Sequence, residues 1–324
     1  MRRGRGFSYL DERGRPLADP EVIERVAALA IPPAWRDVWI CSDPLGHLQA
    51  TGIDAAGRKQ YLYHSRWREH RDREKFRRMV RFARALPRLR RRIRADLGER
   101  AEGRTEPTRE RVLALSARLL DVGLFRIGSE EYADEAGGIG LATIRKEHVS
   151  VQDGRVVFDY PAKGGTRRLQ QIEDPLSREL LSALKRRRGD PPELLAYRAG
   201  RHWHDVRSAD INEYLKRHMG EEFSAKDFRT WNATVLAAVS LATFGEPPRS
   251  KAARERAVKQ AVKAVAELLG NTPAVARRAY IDPRVFDRYL AGTTMAPIPL
   301  PEGSAAAERV RPRLERAVLA LLED

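Results

Sequence analysis

Glu110-Arg-Val-Leu-Ala-Leu-Ser-Ala-Arg-Leu-Leu-Asp-Val-Gly-Leu124 is the stretch on which the fold turns. Val112, Leu113, Leu115, Leu119 and Leu120 recur at the three- and four-residue spacing of one helix face, so the segment predicts an amphipathic helix. Helical spacing returns downstream at about 176–187, 208–218, 225–243 and 251–269. The 225–243 helix opens on Ser224-Ala-Lys-Asp227, a capping-box pattern that satisfies backbone N–H groups of a first turn. Gly270 ends the 251–269 helix, Thr272-Pro273 starts a short new one, and Asp282-Pro283 starts another. One interruption is extended: Thr143 to Val151 and Arg155 to Tyr160 flank an Asp153-Gly154 turn, the signature of a β-hairpin.

Upstream the pattern differs. Phe7-Ser-Tyr-Leu, Val38-Trp39-Ile40, His47 to Thr51 and Gln60 to Tyr63 read as short strands, with an Asp-Glu-Arg-Gly turn after the first. Val22 to Leu29 has helical spacing, ended by Ile31-Pro32-Pro33-Ala34-Trp35. Residues 66–86 lack Gly and Pro and predict a basic amphipathic helix that stops near Pro87. The fold class is therefore α+β. A small β-rich N-terminal domain, residues 1–90, precedes a mainly α-helical domain, residues 91–324, that contains a short β-sheet.

The chain of 324 residues carries a net charge of +16, and the excess is uneven. Residues 66–94 hold 14 basic side chains against 3 acidic ones, so Arg71, Lys75, Arg78 and Arg81 form an expected face for a polyanion. No run of about 18 apolar residues occurs, so no membrane span is expected. The basic start, Met1-Arg2-Arg3-Gly4-Arg5, has no apolar stretch after it and does not read as a secretory signal. Cys41 is the single cysteine, which excludes an internal disulfide and cysteine-based zinc sites and points to a reducing cytoplasm.

Four residues stand where regular structure stops: Arg126 after the 110–124 helix, Lys163 in Pro161-Ala-Lys-Gly-Gly165, Arg229 in the first turn of a capped helix, and Tyr280 before the Asp282-Pro283 break. Chain ends of this kind present side chains to a shared cleft. Leu-Phe-Arg126-Ile-Gly, Gly-Leu-Ala-Thr143, Lys163-Gly-Gly, Lys226-Asp-Phe-Arg229-Thr and Gly270-Asn-Thr-Pro-Ala-Val-Ala-Arg-Arg-Ala-Tyr280 resemble the catalytic motifs of poxvirus-type and bacterial type IB DNA topoisomerases. Ile31-Pro-Pro-Ala-Trp35 and Gln49-Ala-Thr-Gly-Ile-Asp-Ala-Ala-Gly-Arg-Lys-Gln-Tyr61-Leu-Tyr63 resemble the same family's DNA-clamping domain. The motifs run in order over nearly the whole chain.

The resemblance implies a DNA clamp of two domains, a DNA-clamping one at 1–90 and a catalytic strand-transferase one at 91–324. Tyr280 would attack a backbone phosphate, form a DNA-(3′-phosphotyrosyl) intermediate and expel a 5′-hydroxyl strand. Arg126 and Arg229 would hold the non-bridging oxygens, and Lys163 would protonate the leaving oxygen. Planar guanidinium donors suit the charge that gathers on those oxygens. Neither ATP nor a metal or other cofactor is expected. Arg58, Lys59, Gln60, Tyr61, Tyr63 and Lys226 would contact DNA. The expected partner is double-stranded DNA, with no membrane, and the expected state is a monomer associated with the cytoplasmic nucleoid.

One departure from the family is Asn271, where a histidine usually stands. An amide still donates a neutral hydrogen bond but does no acid–base work near neutral pH, so Asn271 reads as a transition-state donor. Two rivals are a tyrosine recombinase, which typically has His three residues before its second Arg where this chain has Lys226, and a non-catalytic basic DNA-binding protein, which needs neither Tyr280 nor Lys163. His202-Trp-His204 lacks companion ligands at metal-binding spacing.

Overall fold

A computed structural model of the protein describes residues 2–3, 6–7, 9–11, 13–98, 106–128, 138–152 and 154–323. The expected features at Ser8, at the Asp11-Glu12 turn and at Asp153 lie in part outside the described residues. The chain divides into two compact units, residues 1–77 and 78–324. The division falls inside a helix in which the expected boundary at residue 90 also lies.

In the first unit, strands β1 (Arg2–Arg3) and β2 (Gly6–Phe7) form a short antiparallel pair. Helix α1 (Pro20–Ala28) is capped by Asp19, whose Oδ1 accepts from Glu21 N at 3.0 Å. Strands β3 (Arg36–Ile40), β4 (Leu48–Ile53) and β5 (Lys59–Tyr63) form an antiparallel sheet in that order. Ala50 is fully buried on one face, while Trp39, Thr51 and Tyr61 stand in register on the other. A Cβ at Gly52 would come within 2.7 Å of the Trp35 ring, so the Ile-Pro-Pro-Ala-Trp35 turn lies against β4.

Helix α2 (Ser65–Leu97) runs through Pro87 rather than stopping near it. An interior proline costs about 3 kcal/mol. The helix offsets this by burying Phe82, Leu86, Leu89, Ile93 and Leu97 along one stripe, at about 1.5–3 kcal/mol each. Packing overrides the local stop signal.

The second unit continues with α3 (Arg109–Gly123), α4 (Pro175–Arg186), α5 (Ser208–Met219), α6 (Ala225–Thr243), α7 (Lys251–Leu269), α8 (Pro273–Ala279), α9 (Pro283–Ala291) and α10 (Ser304–Glu323). Helix α6 is the central element, with Phe228, Trp231, Ala233 and Ala237 buried. The capping box at its start forms as expected: Ser224 N donates to Asp227 Oδ2 at 2.8 Å. A three-stranded antiparallel sheet consists of β6 (Val149–Gln152), β7 (Arg155–Pro161) and β8 (Arg167–Ile172). The strand expected from Thr143 begins only at Val149, because Thr143 and His148 close 3₁₀ turns on Gly140 and Arg145. Strand β8 carries no apolar alternation to announce it; its inward residues are Arg168, Gln170 and Ile172. A separate hairpin pairs β9 (Ala196–Ala199) with β10 (His202–Asp205). Among the described residues no helix is long and apolar enough to cross a membrane.

Behind the sheet-bearing end of α3 lies a buried ionic network. Asp121 accepts from Arg90 at 2.9 Å and from Arg311 at 2.7 Å, and Arg90 also pairs with Glu315 at 2.6 Å. Arg118 pairs with Asp174 and Glu308. Removing one partner from such a buried set leaves uncompensated charge, so Asp121→Asn is expected to destabilise the fold by about 3–5 kcal/mol in chemical denaturation. Burial alone would raise the Asp121 pKa, but Arg311 and Arg90 outweigh it and hold the carboxyl well below its usual range. A depressed folded pKa contributes fully above the unfolded value of about 4 and less as pH falls below it. Wild type should therefore lose stability in acid below about pH 4, and Asp121→Asn should lose less over that interval. Identical acid dependence in the two proteins would assign the effect to other carboxylates.

Candidate active site

Three arginines converge on the end of α7. Its last carbonyls are left over at a helix terminus and need donors from elsewhere. Arg168 donates from Nη1 to Glu267 O at 3.3 Å and from Nη2 to Leu268 O. Arg229 Nη2 reaches Leu269 O at 3.0 Å, and Arg126 Nη2 reaches Gly270 O at 3.0 Å. Asn271 then joins two of them, its Oδ1 accepting from Arg126 at 2.8 Å and from Arg229 at 3.0 Å. Gly270 suits this place twice over. Its φ of +61° suits a helix-ending glycine, and a Cβ there would stand 3.1 Å from Arg168 Nη1.

Local structure delivers each side chain. Helix α3 ends at Gly123, where a Cβ would strike the Phe125 ring at 2.4 Å. Leu124 takes a left-handed φ of +55°, which costs a non-glycine residue about 1–2 kcal/mol. Its carbonyl accepts from Arg229 Nη1, and Phe125 packs edge-on against Phe158 of β7 at 5.0 Å. Arg126 follows immediately. Residues 138–142 cross beside it: Leu141 N donates to Arg126 O at 2.8 Å, and Ile139 N donates to Pro161 O at 2.9 Å. A Cβ on Gly140 would lie 2.3 Å from Gly128 N, so this crossing admits only glycine. The Gly-Leu-Ala-Thr motif thus holds the Arg126 turn beside the turn of Lys163.

Tyr280 closes α8, and Thr272 opens that helix with Pro273 as its first residue. The Tyr280 ring lies under the Arg229 guanidinium, 5.1 Å from its carbon. Thr234 on α6 binds both Tyr280 O, at 3.4 Å, and Asp282 N, at 3.1 Å. Ile281 between them is fully buried.

The electrostatics set these arginines apart. Among the described residues, Arg126, Arg168 and Arg229 have no carboxylate partner; carbonyls, Asn271 and tyrosines surround them. Burial and repulsion from Arg126 pull the pKa of Arg229 down to about 10, against the pull of the Tyr280 phenol. Burial also lowers that of Arg168. Both remain cationic at neutral pH. Arg229 Nε is buried without an acceptor among the described residues. Such a cluster lacks an anion. A cavity of about 880 Å³ in the same unit is lined by Asp121, Asn232 and Leu236 and by none of these arginines.

Of the five residues expected to act together, Arg126, Arg229, Asn271 and Tyr280 meet. Lys163 lies in the exposed β7–β8 turn, where Gly138 packs against its backbone and Ile139 N binds the nearby Pro161 O; among the described residues no side-chain contact ties it to the other four. Lys226 is exposed one helical turn before Arg229. In the first unit, Lys59, Tyr61 and Tyr63 share an exposed sheet face, with the two tyrosine rings stacked at 6.3 Å. Arg58 and Gln60 are drawn instead to Asp54, at 3.1 and 2.8 Å. Arg78 and Arg81 of the expected polyanion face pair with Asp227 and Glu222. Sequence reasoning missed Arg168 and also Trp39, which is 51% exposed beside Tyr61 on the same sheet face. His204 of the His-Trp-His stretch stacks on Tyr197. Asp96, Glu110 and His218 lie close enough to share an ion, but Arg92 and Arg217 already pair with the two carboxylates.

Residues 64–290 match the family described as the catalytic core of eukaryotic DNA topoisomerase I, and residues 6–54 match the one described as the N-terminal domain of bacterial DNA topoisomerase IB. The DNA topoisomerase 1B of Acanthamoeba polyphaga mimivirus is 30% identical over 278 residues, covering 82% of this chain and 80% of that protein. The DNA topoisomerase I of Monkeypox virus is 20% identical over 253 residues, covering 78% and 75%. The DNA topoisomerase 1 of Schizosaccharomyces pombe is 34% identical over 146 residues, covering 44% of this chain and 17% of the relative.

The bridging amide yields a test of what Asn271 does. Its oxygen is occupied by two arginines, which leaves its Nδ2 to donate. Asn271→Ala removes both functions and should slow DNA cleavage roughly 10–10³-fold. Asn271→Asp keeps the acceptor, so its melting temperature should match or exceed that of wild type. Its cleavage should nonetheless fall at least as far as that of the alanine variant, because a carboxylate cancels the cationic field and lacks the donor. Wild-type cleavage by Asn271→Asp would reduce the residue to an arginine clamp.

Proposed function

The chain belongs to the type IB DNA topoisomerase family, and from that membership we propose that Tyr280 is its nucleophile, with Arg126, Arg229, Asn271 and Lys163 completing the chemistry on duplex DNA. The observation that carries this assignment is the convergence, around one tyrosine, of guanidinium groups that no carboxylate among the described residues pairs with. A phosphodiester supplies the missing anion. Arg126 and Arg229 bind its non-bridging oxygens, and the Asn271 amide adds a neutral donor. The phenolic oxygen attacks phosphorus, its proton leaving to solvent, as the bond from phosphorus to the 5′-oxygen breaks. Lys163 gives a proton to that 5′-oxygen. The product is a DNA-(3′-phosphotyrosyl) ester and a free 5′-hydroxyl strand, which rotates and then reverses the exchange. One ester replaces another of similar energy, so religation needs no ATP. The fixed cations take over the charge stabilisation that a metal supplies elsewhere.

Lys59, Tyr61 and Tyr63, joined by Trp39, present an aromatic and basic face suited to a sugar-phosphate surface. Arg58 and Gln60 act by shaping the Asp54 turn beside it, and Lys226 adds a phosphate contact next to Arg229. The two units close on duplex DNA as a clamp, with residues 1–90 gripping and residues 91–324 reacting. The protein works as a monomer in the cytoplasm, on the nucleoid. Lys226, where recombinases carry histidine, favours relaxation over recombination.

Tyr280→Phe removes only the hydroxyl, so folding and DNA affinity should persist while relaxation and the covalent adduct disappear. Wild type should relax positively and negatively supercoiled plasmid in EDTA without ATP. On denaturing gels it should carry label from a 5′-labelled scissile strand and none from a 3′-labelled one. An adduct formed by the phenylalanine variant would move the nucleophile elsewhere. A wild type that never forms one would make the protein a passive DNA binder.

A further inference from the structure

Arg167 and Arg168 stand side by side on β8 and point opposite ways. Arg167 turns outward to pair with Asp159 at 2.5 Å. Arg168 shares the inward face with Gln170 and buried Ile172, and its guanidinium crosses to α7, where it takes Glu267 O and Leu268 O. Tyr160 sits directly opposite in the strand register, and its phenol is electrostatically coupled to the same guanidinium. Among the described residues, the two carbonyl contacts are the hydrogen bonds that join this sheet to α7. The turn of the β7–β8 hairpin carries Lys163; the end of α7 carries Asn271 and leads through α8 to Tyr280. Arg168 therefore spans the gap between the proposed proton donor and the groups that hold the phosphate. A guanidinium suits the task because its forked donors reach two successive carbonyls, which a single ammonium does less well.

We propose that Arg168 is a positioning residue for proton delivery. By fastening the β7–β8 hairpin to the end of α7, it sets where Lys163 stands relative to the phosphate between Arg126 and Arg229. The inference rests on the reading of Lys163 as proton donor. In this reading Arg168 acts through the hairpin it fastens, its Nη1 and Nη2 being turned to the α7 carbonyls.

The test is single-turnover cleavage of one synthetic duplex with a mapped cleavage site, made with either a 5′-oxygen or a 5′-bridging sulfur at the scissile phosphate. A thiolate leaves without a proton, so sulfur rescues only defects in proton delivery. Arg168→Ala should slow cleavage of the oxygen duplex roughly 10–10²-fold, the scale of a small misplacement, with DNA affinity nearly unchanged. Its rate on the sulfur duplex should return close to that of wild type. The double variant with Lys163→Ala should be no slower than Lys163→Ala alone, because both remove one step. Arg168→Lys should fall between wild type and alanine with the same sulfur-selective recovery, and it carries the test if the alanine variant loses its thermal transition. Equal losses on both duplexes, or wild-type rates on both, would overturn the inference. If Lys163→Ala recovers on sulfur and the Arg168 variants do not, the positioning role alone falls. If Lys163→Ala itself fails to recover, the proton-donor reading falls instead.

Discussion

Four successive carbonyls at the end of one helix, those of Glu267, Leu268, Leu269 and Gly270, hold three like charges together. Two guanidinium groups sharing one acceptor oxygen repel by about 3 kcal/mol at a surface-like dielectric. Hydrogen bonds to charged groups contribute about 1.5–3 kcal/mol each, and the negative end of a helix dipole adds about 0.3–1. The helix end therefore gathers the arginines without neutralising them. Everything that positions the site answers to that point: Gly270 leaves room for Arg168, the left-handed Leu124 turns its carbonyl to Arg229, and Asn271 closes the arc with an uncharged oxygen.

The same unit contains arginines of the opposite kind. Arg90, Arg118 and Arg311 are matched by Asp121, Asp174, Glu308 and Glu315, and Asp121 is buried among them. That network joins α2, α3 and α10 behind the site, and Arg311 also reaches Asn232 on α6 at 3.0 Å. Paired charge serves as scaffold and unpaired charge serves as site. The number of arginines says nothing about which is which; the presence or absence of a carboxylate does.

Much of this was legible in the sequence, for identifiable reasons. Tyr280, Arg126 and Arg229 sit beside breaks that residue chemistry announces: an Asp-Pro, a helix end and a capping box. Asn271 was reached only through the family resemblance, since an Asn after the helix-ending Gly270 reads equally well as a plain helix cap. Arg168 was invisible because its partners are backbone carbonyls about a hundred residues away, which leave no trace in side-chain pattern. Strand β8 was missed with it, since the inward face that hides Arg168 breaks the polar–apolar alternation. Pro87 misled in the other direction: a strong local signal yielded to a buried stripe that continues past it. The Thr143 strand started late because two side chains, Thr143 and His148, curl the backbone before it can pair.

In the proposed mechanism Asn271 has two tasks at the place where the family's motif usually carries a histidine. A carboxamide oxygen has two lone pairs and accepts from both Arg126 and Arg229, while its nitrogen stays available to donate. A neutral imidazole has one acceptor nitrogen, and a protonated one has none. An imidazole at this place must choose between holding the arginines and meeting the phosphate, and the choice changes with pH across the neutral range. In the proposed mechanism the amide does both at once, and it does not titrate. The helix end, the two arginines and the amide thus form one unit with no group that titrates in the neutral range, and in the proposed mechanism proton transfer falls to Lys163 alone. That separation is what makes the fastening of the Lys163 hairpin by Arg168 matter. If Lys163 is the donor and no side-chain contact among the described residues ties it to the phosphate-binding groups, its place depends on the backbone beneath it, flanked by Gly138 with Ile139 on Pro161 O on one side and fastened through Arg168 on the other.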